Sequence, residues 1–140
     1  MHFHRQIIID ELKKFEWKSL LEVGTGWGKN IEMIRENFPN TELHGCDKDS
    51  YPKSSLCDIK LLPFKDDGYD AVLVDAVLMY IDKPELAIKE VKRVAKKIII
   101  ICDQKISRLK DYLPSDVKMI KIEGWGGDWD KDGYIIIWKK

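Results

Sequence analysis

The sequence predicts an α/β domain with a mainly parallel sheet that is covered by helices on both faces. Three observations support this fold class: strand-length apolar runs alternate with helical patterns, several of these runs are apolar throughout, and the runs end in glycine or aspartate. Strands that are buried on both faces have such continuous apolar sequences, whereas a half-solvated strand alternates. We expect residues 1–140 to form a single domain, as is usual for a chain of this length.

The patterns place the elements in a definite order. Apolar runs predict strands, helical periodicity predicts helices, and flanking Gly, Pro and Asp set the boundaries. The predicted elements are a helix over 5–15, a strand over 18–24, a helix over 28–38, a strand over 41–47, a strand run over 70–79, a helix over 84–95, a strand over 96–103, a short helix over 104–112, and a C-terminal antiparallel strand pair over 117–124 and 134–140.

Prolines and apolar spacing support the two helices over 28–38 and 84–95. Pro39 ends the first because it cannot continue a helix, and Pro84 suits the first turn of the second. The residues expected to face the core are Ile31, Ile34 and Phe38 in the first helix and Leu86, Val91 and Val94 in the second.

The connection that follows Asp47 is too short for an ordinary parallel crossover. Such a crossover takes about a dozen residues or more and usually contains a helix. Here only the segment KDSYPK and its neighbours separate Asp47 from the next strand candidate, and Pro52 disfavours a helix. We therefore expect the helix between the second and third strands to be missing, and residues 54–58 to form a stub of strand or a loop.

Charge and composition exclude several classes of protein. Lys and Arg together number 24, as do Asp and Glu, and this balance argues against a strongly electrostatic nucleic-acid binder. No run is long and apolar enough to span a membrane, and the N-terminal residues do not resemble a signal peptide, so the cytoplasm is the expected location. The cysteines lack metal-binding spacing and are expected to be buried or half-buried thiols: Cys46, Cys57 and Cys102. No metal is expected.

Residues 20–34, LLEVGTGWGKNIEMI, predict a ligand that lies against bare backbone. An apolar run ends near Glu22, three glycines follow at alternate positions, and a helical pattern begins. A dinucleotide fingerprint would need its third glycine at position 29, which is Lys29, and a Walker-type phosphate loop would need a hydroxyl at Asn30. Glu22 would also repel a pyrophosphate, whereas it suits a ligand that carries positive charge.

The ends of parallel strands meet at one rim of the sheet, where ligands of such folds bind. The predicted strands end there in Gly24, Asp47, Asp75 and Asp103. Three of these four strand ends therefore carry acids.

From residue 18 to residue 103 the chain resembles the class I S-adenosylmethionine-dependent methyltransferases, in particular small methyltransferase-11-like members. LLEVGTGWGKN is similar to their first motif, an acid followed by G-x-G-x-G. HGCDKD is similar to the strand end whose acid holds the ribose hydroxyls. CDIKLLPFKDDGYDAVLVD resembles the block in which an Asp addresses adenine and a Pro-Phe turn follows. The resemblance implies a Rossmann-like three-layer sandwich.

The resemblance also implies S-adenosyl-L-methionine as cofactor and S-adenosyl-L-homocysteine as product. Glu22 would attract the ammonium group, Asp47 would accept from the ribose hydroxyls, and Asp58 with the Ile59 amide would meet the adenine. Leu61 or Leu62 would cover an adenine face. The full set of cofactor-binding candidates is Glu22, Gly24, Thr25, Gly26, Gly28, Asp47, Lys48, Asp58, Ile59 and Asp75.

Each of these roles has a structural alternative. If they bind no ligand, the glycines serve only tight packing, Asp47 caps a helix or forms a turn, and Asp58 is a solvated turn residue. Trp27 would pack on the neighbouring helix or touch the ligand, with equal support. Trp125 and Trp129 would stack on an acceptor or cover the end of the sheet, and we favour the second.

The implied reaction is in-line displacement of a methyl group from the cofactor to an unidentified acceptor. Asp75 and Tyr80 are the catalytic candidates, followed by Asp103 and the histidines at positions 2 and 4, which we expect to be mobile. The acceptor is a small molecule or a macromolecule, no membrane partner is expected, and a homo-oligomer is an open possibility. The alternative function is a catalytically inactive scaffold or regulatory subunit that binds S-adenosylmethionine.

Overall fold

The computed structural model describes residues 3–125 and 132–140, which form a seven-stranded sheet with three α-helices. The helices are α1 (Phe3–Leu12), α2 (Lys29–Asn37) and α3 (Pro84–Val94). The strands are β1 (Ser19–Val23), β2 (Glu42–Asp47), β3 (Ser55–Leu56), β4 (Tyr69–Asp75), β5 (Ala95–Asp103), β6 (Lys118–Ile122) and β7 (Gly133–Lys139).

The strand order is β3-β2-β1-β4-β5-β7-β6. The first five strands in this order are parallel, β7 lies antiparallel to β5, and β6 pairs antiparallel with β7. The predicted mainly parallel sheet and C-terminal antiparallel pair are therefore confirmed. The carboxyl ends of β1, β2, β4 and β5 lie along one rim, as the parallel order requires.

Helices cover both faces of the sheet and create two apolar layers. The side chains of α1 and α2 pack on one face, and those of α3 pack on the other. Ile34 is fully buried with Ile31 and Phe38 packed beside it, which confirms the predicted face of α2.

The predicted buried face of α3 was only partly right. Val91 and Val94 are buried, together with Ala87 and Ile88, but Leu86 is 42% exposed. Ala87, Val91 and Val94 follow the spacing of one helical face. Leu86 precedes that face by one residue, which turns its side chain about 100° away.

The missing crossover helix is confirmed. Residues 48–54 form turns without a helix, and β3 contains only the two residues of the expected stub. An aromatic cluster lies on the α3 face of this part of the sheet: the rings of His44, Phe64 and Tyr69 contact one another with centroid distances of 5.6 Å for His44–Phe64 and 5.5 Å for Phe64–Tyr69. Leu56 of β3 stays 65% exposed at this edge.

Two local predictions were wrong. The segment 104–112 forms two short 3₁₀ turns, Ile106–Arg108 and Lys110–Tyr112, instead of one helix. Cys46 and Cys57 form a disulfide with a Cα–Cα distance of 5.7 Å, where free thiols were expected. Cys102 is a buried free thiol, as expected.

The disulfide was not visible in the sequence because its geometry depends on the stub strand. β2 and β3 pair in parallel with Cys46 opposite Ser55 and Asp47 opposite Leu56. This register, together with the short turn of residues 48–54, brings Cys57 back to Cys46. Within the described residues, no helix is long and apolar enough to cross a bilayer, and no group of three His, Cys, Asp or Glu residues is arranged to hold a metal ion.

Candidate functional site

Two cavities meet at the rim of the sheet, one on each side of the glycine loop, and share Gly24 and Ala76. The first, about 340 Å³ in volume, is called here the polar cavity and is lined mainly by His4, Arg5, Glu22, Asn30, Asp75 and Trp125. The second, about 530 Å³, is called the wide cavity and is lined mainly by Gly26, Asp47, Tyr51, Asp58, Ile59 and Val77.

The loop between the cavities is fastened to the end of β2. The amides of Gly24 and Thr25 both donate to the Cys46 carbonyl, over 2.8 and 3.1 Å. The Gly26 amide donates to Oδ2 of Asp47 over 2.9 Å. Gly26 has φ +54°, and a Cβ atom there would meet none of the described atoms within 4 Å. The loop therefore presents bare backbone to the wide cavity, where a side chain would take up the space of a ligand.

Asn30, the second residue of α2, joins two buried carboxylates. Its Nδ2 donates to Oε2 of Glu22 over 2.7 Å and to Oδ2 of Asp75 over 2.8 Å. Arg5 donates from Nε to Oδ1 of Asn30 over 2.9 Å, which fixes the orientation of the amide. The second oxygen of Glu22 accepts from the Thr25 hydroxyl over 2.7 Å. The Asn30 side chain thus connects α2 to β1 and β4 by hydrogen bonds.

The two carboxylates of this network differ in protonation. Burial raises the pKa of Glu22 to about 8, although the hydrogen bonds from Asn30 and Thr25 oppose the shift. Burial alone would also raise the pKa of Asp75, but the hydrogen bond and charge of His4, with help from Asn30 and Arg5, lower it below the ordinary value. Near neutral pH the site therefore holds a charged Asp75 beside a Glu22 that carries a proton much of the time.

Asp75 is held by α1 and keeps one oxygen open. Its Oδ2 lies 2.9 Å from Nε2 of His4, and both side chains are buried. The expectation of a mobile His4 was therefore wrong, because the docking of α1 fixes it. The other oxygen of Asp75, Oδ1, is buried and accepts no hydrogen bond from a nitrogen or oxygen donor among the described residues, and the Cys102 thiol beside the carboxylate is only a weak donor. A buried carboxylate oxygen of this kind suits a donor group on a ligand.

The wide cavity combines acids with apolar walls. Asp47 is 9% exposed, and its Oδ1 accepts from the Asp49 amide over 3.0 Å. Asp58 is exposed, with Oδ1 accepting from the Lys60 amide over 2.9 Å, and Ile59 is buried beside it. The apolar and aromatic walls come from Tyr51, Val77 and Ile81. Leu61 and Leu62 were expected to cover this space, but neither lines it: Leu61 is 75% exposed and Leu62 is in the core.

Most of the predicted site residues line these two cavities. Glu22, Gly24, Thr25 and Asp75 line the polar cavity, and Gly26, Asp47, Lys48, Asp58, Ile59 and Tyr80 line the wide cavity. Gly28 lines neither, since it precedes α2 at φ +81° and faces a smaller cavity behind the loop. Their roles toward a ligand stay predictions.

The remaining candidates lie elsewhere. Tyr80 is 81% exposed, so its hydroxyl is solvated rather than enclosed. Asp103 is fully buried, accepts from the Lys105 amide over 2.7 Å and lines neither cavity, so it is not a base for an acceptor bound there. Position 2 and Trp129 lie outside the described residues.

The two tryptophans with open roles are now placed. Trp27 is 70% exposed and contacts Tyr51 edge to face at 5.1 Å between centroids, while also lining the polar cavity. Trp125 is buried against the sheet, as favoured, and it also lines the polar cavity next to His4.

Sequence reasoning did not find Arg5 or Asn30. A signal existed for Asn30, because it lies four residues before Ile34 and therefore on the buried face of α2. A polar side chain at such a position needs a buried partner, and Glu22 at the end of the preceding strand provides one. No comparable signal existed for Arg5, because its partner is distant in sequence.

Comparison with known proteins agrees with this arrangement. The profile of the family described as "Methyltransferase domain" matches residues 21–101, which is more than half of the chain. No curated protein sequence matches the chain.

Solved structures share the fold at low sequence identity. An S-adenosylmethionine-dependent methyltransferase from Aquifex aeolicus is 17% identical, with 91% of this chain and 87% of that chain covered and a TM-score of 0.65. The YcgJ protein from Bacillus subtilis is 13% identical, with 99% of each chain covered and a TM-score of 0.74. A geranyl diphosphate methyltransferase in complex with GPP and sinefungin is 11% identical, with coverages of 97% and 76% and a TM-score of 0.76.

The structural likeness establishes the fold, and the family profile spans the glycine loop, both strand-end acids of β2 and β4, and all of α3. The chain therefore belongs to the class I methyltransferases, the Rossmann-like family whose cofactor is S-adenosylmethionine.

Proposed function

We propose that this protein transfers a methyl group from S-adenosylmethionine to an acceptor. When bound, the sulfonium group of this cofactor supplies the methyl group and leaves as a neutral thioether. Two adjoining cavities support the proposal, since the cofactor has a zwitterionic amino-acid half and a nucleoside half, and the cavities differ in the same way.

The polar cavity fits the amino-acid half. Asp75 supplies a charged carboxylate for an ammonium group, and its buried Oδ1 gains a stronger donor than the Cys102 thiol beside the carboxylate. Glu22 adds a second carboxylate when a bound cation favours loss of its proton. Arg5 uses Nε on Asn30, which leaves its terminal nitrogens for a carboxylate. Lys29 lines the same cavity and adds positive charge.

The wide cavity fits the nucleoside half. Asp47 offers two carboxylate oxygens near the bare backbone of Gly26, which suits a pair of vicinal hydroxyls. Asp58 and Ile59 line the same cavity, where the Asp58 carboxylate and the Ile59 amide suit an exocyclic amino group and a ring nitrogen. Val77 and Ile81 supply apolar contact for a base.

The side chains favour alignment of the reactants over strong base catalysis. Alignment supplies much of the rate of a displacement reaction, and a base is needed only for an acceptor that arrives protonated. The lowered pKa of Asp75, which follows from the His4 hydrogen bond and charge, makes it a weak base and a good partner for a cation. Tyr80 is 81% exposed, so water competes with an acceptor for its hydroxyl group. We therefore propose an acceptor whose nucleophile is neutral or already deprotonated.

The observation that carries the proposal is the buried, charged Asp75 at the junction of the glycine loop and β4, whose Oδ1 has no nitrogen or oxygen donor among the described residues. Calorimetry with S-adenosylhomocysteine tests it directly. We expect binding to the wild-type protein, weaker binding to Asp75→Ala, and retained secondary structure in both. A folded wild-type protein that gives no binding heat contradicts the proposal.

A second candidate function is a scaffold or regulatory subunit that binds the cofactor without transfer. The specific observation in its favour is the exposed apolar edge beside the wide cavity, where Leu56 and Leu61 are 65% and 75% exposed. This edge also supports a homo-oligomer or a macromolecular acceptor. Incubation with methyl-labelled cofactor and cell extract separates the two functions, because the scaffold binds cofactor but transfers no label.

Two further properties stay predictions. Light scattering tests whether the protein forms a homo-oligomer, and cell fractionation tests the cytoplasmic location.

A further inference from the structure

The Cys46–Cys57 disulfide joins the two acidic segments of the wide cavity. Cys46 immediately precedes Asp47, and Cys57 immediately precedes Asp58. Between the two segments the Cys57 amide donates to the Asp47 carbonyl over 2.9 Å. The bond therefore fixes the distance between the acid proposed for the ribose and the acid proposed for the adenine.

Beyond Asp58 this wall is anchored in the core by Ile59 and Leu62, and the Leu62 amide donates to Oε1 of Glu90 in α3 over 3.0 Å, but its connection to β2 is slight. The turn of residues 48–54 contains no helix, and β3 pairs with β2 through two residues only, Ser55 and Leu56, both exposed. The side-chain contact from β2 to this segment is an exposed one, from Nε2 of His44 to Oγ of Ser55 at 2.7 Å. In an ordinary parallel crossover, a helix packed on the sheet would hold the two strands together. Here the covalent bond takes over that function.

The two cysteine residues differ in burial. Cys46 is fully buried, whereas Cys57 is half-buried and lines the wide cavity. A thiol reductant can therefore reach Cys57 from the cavity side. Cys102 is fully buried, and burial together with the nearby carboxylates of Asp75 and Glu22 raises its pKa, which makes it an inert thiol.

We propose that the Cys46–Cys57 bond is a site of thiol–disulfide exchange that sets cofactor affinity, with the oxidised form binding tightly and the reduced form weakly. The proposal rests on the proposed function, because it concerns the same wide cavity. In a reducing compartment a protein disulfide is usually transient or redox-sensing rather than structural, which fits a bond placed at a binding site.

The exchange needs a thiol reductant such as glutathione or a protein dithiol. Its thiolate attacks Sγ of Cys57, a mixed disulfide forms, and Cys46 leaves as a thiolate that takes up a proton. A second thiol then attacks the mixed disulfide and releases Cys57 as a thiol together with the oxidised reductant. Two protein thiols are formed, and two reductant thiols become one disulfide.

Reciprocity gives the proposal a second observable. If reduction weakens cofactor binding by a given factor, then bound cofactor must favour the disulfide over the dithiol by the same factor. Bound cofactor would also cover Cys57, so it should slow the attack. Both effects act in the same direction.

The experiment compares S-adenosylhomocysteine affinity in the two redox states. Calorimetry on the full chain is run after oxidation with glutathione disulfide and after reduction with a dithiol, and circular dichroism checks the fold. We expect about a tenfold rise in Kd on reduction, within the usual range for coupled sites. Cys57→Ser should show the weak affinity in both conditions. Cys102→Ala should keep the redox response, because it retains the bond.

Free-thiol titration and the reduction rate complete the test. Under denaturing conditions the oxidised protein should show one free thiol out of three cysteines. Three free thiols after oxidation, or equal affinities in the two states, would overturn the proposal. If the reduced protein unfolds, the rate of reduction of the folded oxidised form decides: it must fall when S-adenosylhomocysteine is added, and an unchanged rate overturns the proposal. No binding in the oxidised state would contradict the proposed function itself, while the thiol titration would still report whether the bond forms.

Discussion

The Gly26 amide donates a hydrogen bond of 2.9 Å to Oδ2 of Asp47, so the glycine loop and the end of β2 form one unit. The acid at this strand end therefore has a structural role in addition to the role proposed for it toward the ribose hydroxyls. It also holds the loop in the conformation that leaves its backbone bare. Each carboxylate oxygen accepts more than one hydrogen bond, so Asp47 can serve both purposes at once.

Substitution of Asp47 should separate these two roles. Asp47→Ala removes both, and we expect a loss of about 1.5–3 kcal/mol in S-adenosylhomocysteine binding, the usual range for hydrogen bonds to a charged group. Asp47→Asn keeps one acceptor oxygen for Gly26 and should lose less. Calorimetry measures both, with circular dichroism as the control for folding. If Asp47→Ala binds as tightly as the wild type, this acid does not hold the ribose.

Gly26 and Gly28 make a matched pair for testing the bare backbone. Both have positive φ, +54° and +81°, and a Cβ at either position would meet none of the described atoms within 4 Å. Valine at either site should therefore cost a similar amount of folding free energy, about 1–3 kcal/mol from backbone strain. Only Gly26 lines the wide cavity.

We accordingly expect Gly26→Val to abolish S-adenosylhomocysteine binding and Gly28→Val to retain it. Thermal unfolding reports the shared strain, and calorimetry reports the difference. Equal loss of binding in both variants would assign the effect to loop strain, and retained binding in Gly26→Val would remove the glycine loop from the site.

The parallel sheet, the succession of strands and helices along the chain, and the rim where the strands end were predictable, because each depends on local sequence patterns. Continuous apolar runs identify the parallel strands, and Pro39 and Pro84 set helix boundaries that the structure confirms within two residues. The short segment after Asp47 predicted the missing helix from its length alone. The disulfide and the α1 contacts were not predictable, because they join residues through strand register and helix docking that no local pattern encodes.

The same distinction applies to the candidate site. Glu22, Asp47 and Asp75 stand at strand ends, and topology alone brings them to one rim. His4 reaches Asp75 across 71 residues of sequence. Only the packing of α1 on the sheet determines that His4 is buried there rather than mobile at the chain start.

Glu22 predicts a pH dependence of stability. Burial raises its pKa from 4.5 to about 8 in the folded protein. Between these values the folded state keeps a proton that the unfolded chain releases. The free energy of unfolding should therefore fall as pH rises through this window, by at most about 1.4 kcal/mol per pH unit, and level off above it. Chemical denaturation without ligand, repeated at several values between about pH 5.5 and pH 8.5, measures how the free energy of unfolding changes with pH. This range covers the upper part of the window.

Glu22→Gln is the matched control for this prediction. Glutamine keeps an acceptor oxygen for Asn30 but does not titrate, so the variant should lose most of the slope and become the more stable protein at the alkaline end. All other residues are unchanged in the variant, so the difference between the two curves reports Glu22. An identical slope in wild type and variant would mean that Glu22 is ionised throughout.

Arg5 offers a test that distinguishes the two halves of the cofactor. Its Nε orients Asn30, and its terminal nitrogens are proposed to hold the cofactor carboxylate. We expect Arg5→Gln, which keeps a donor for Asn30 but loses the charge, to bind S-adenosylhomocysteine about tenfold more weakly, as is typical when one charge-assisted hydrogen bond is lost.

Methylthioadenosine lacks the amino-acid half and should bind the Arg5→Gln variant and the wild type equally well. Arg5→Lys keeps the charge but loses the planar fork of donors, so it should fall between them for S-adenosylhomocysteine. Calorimetry with both ligands gives the comparison. An equal loss of affinity for both ligands would mean that Arg5 stabilises the packing of α1, because an undocked α1 would disturb both cavities. A selective loss for S-adenosylhomocysteine would place the amino-acid half in the polar cavity.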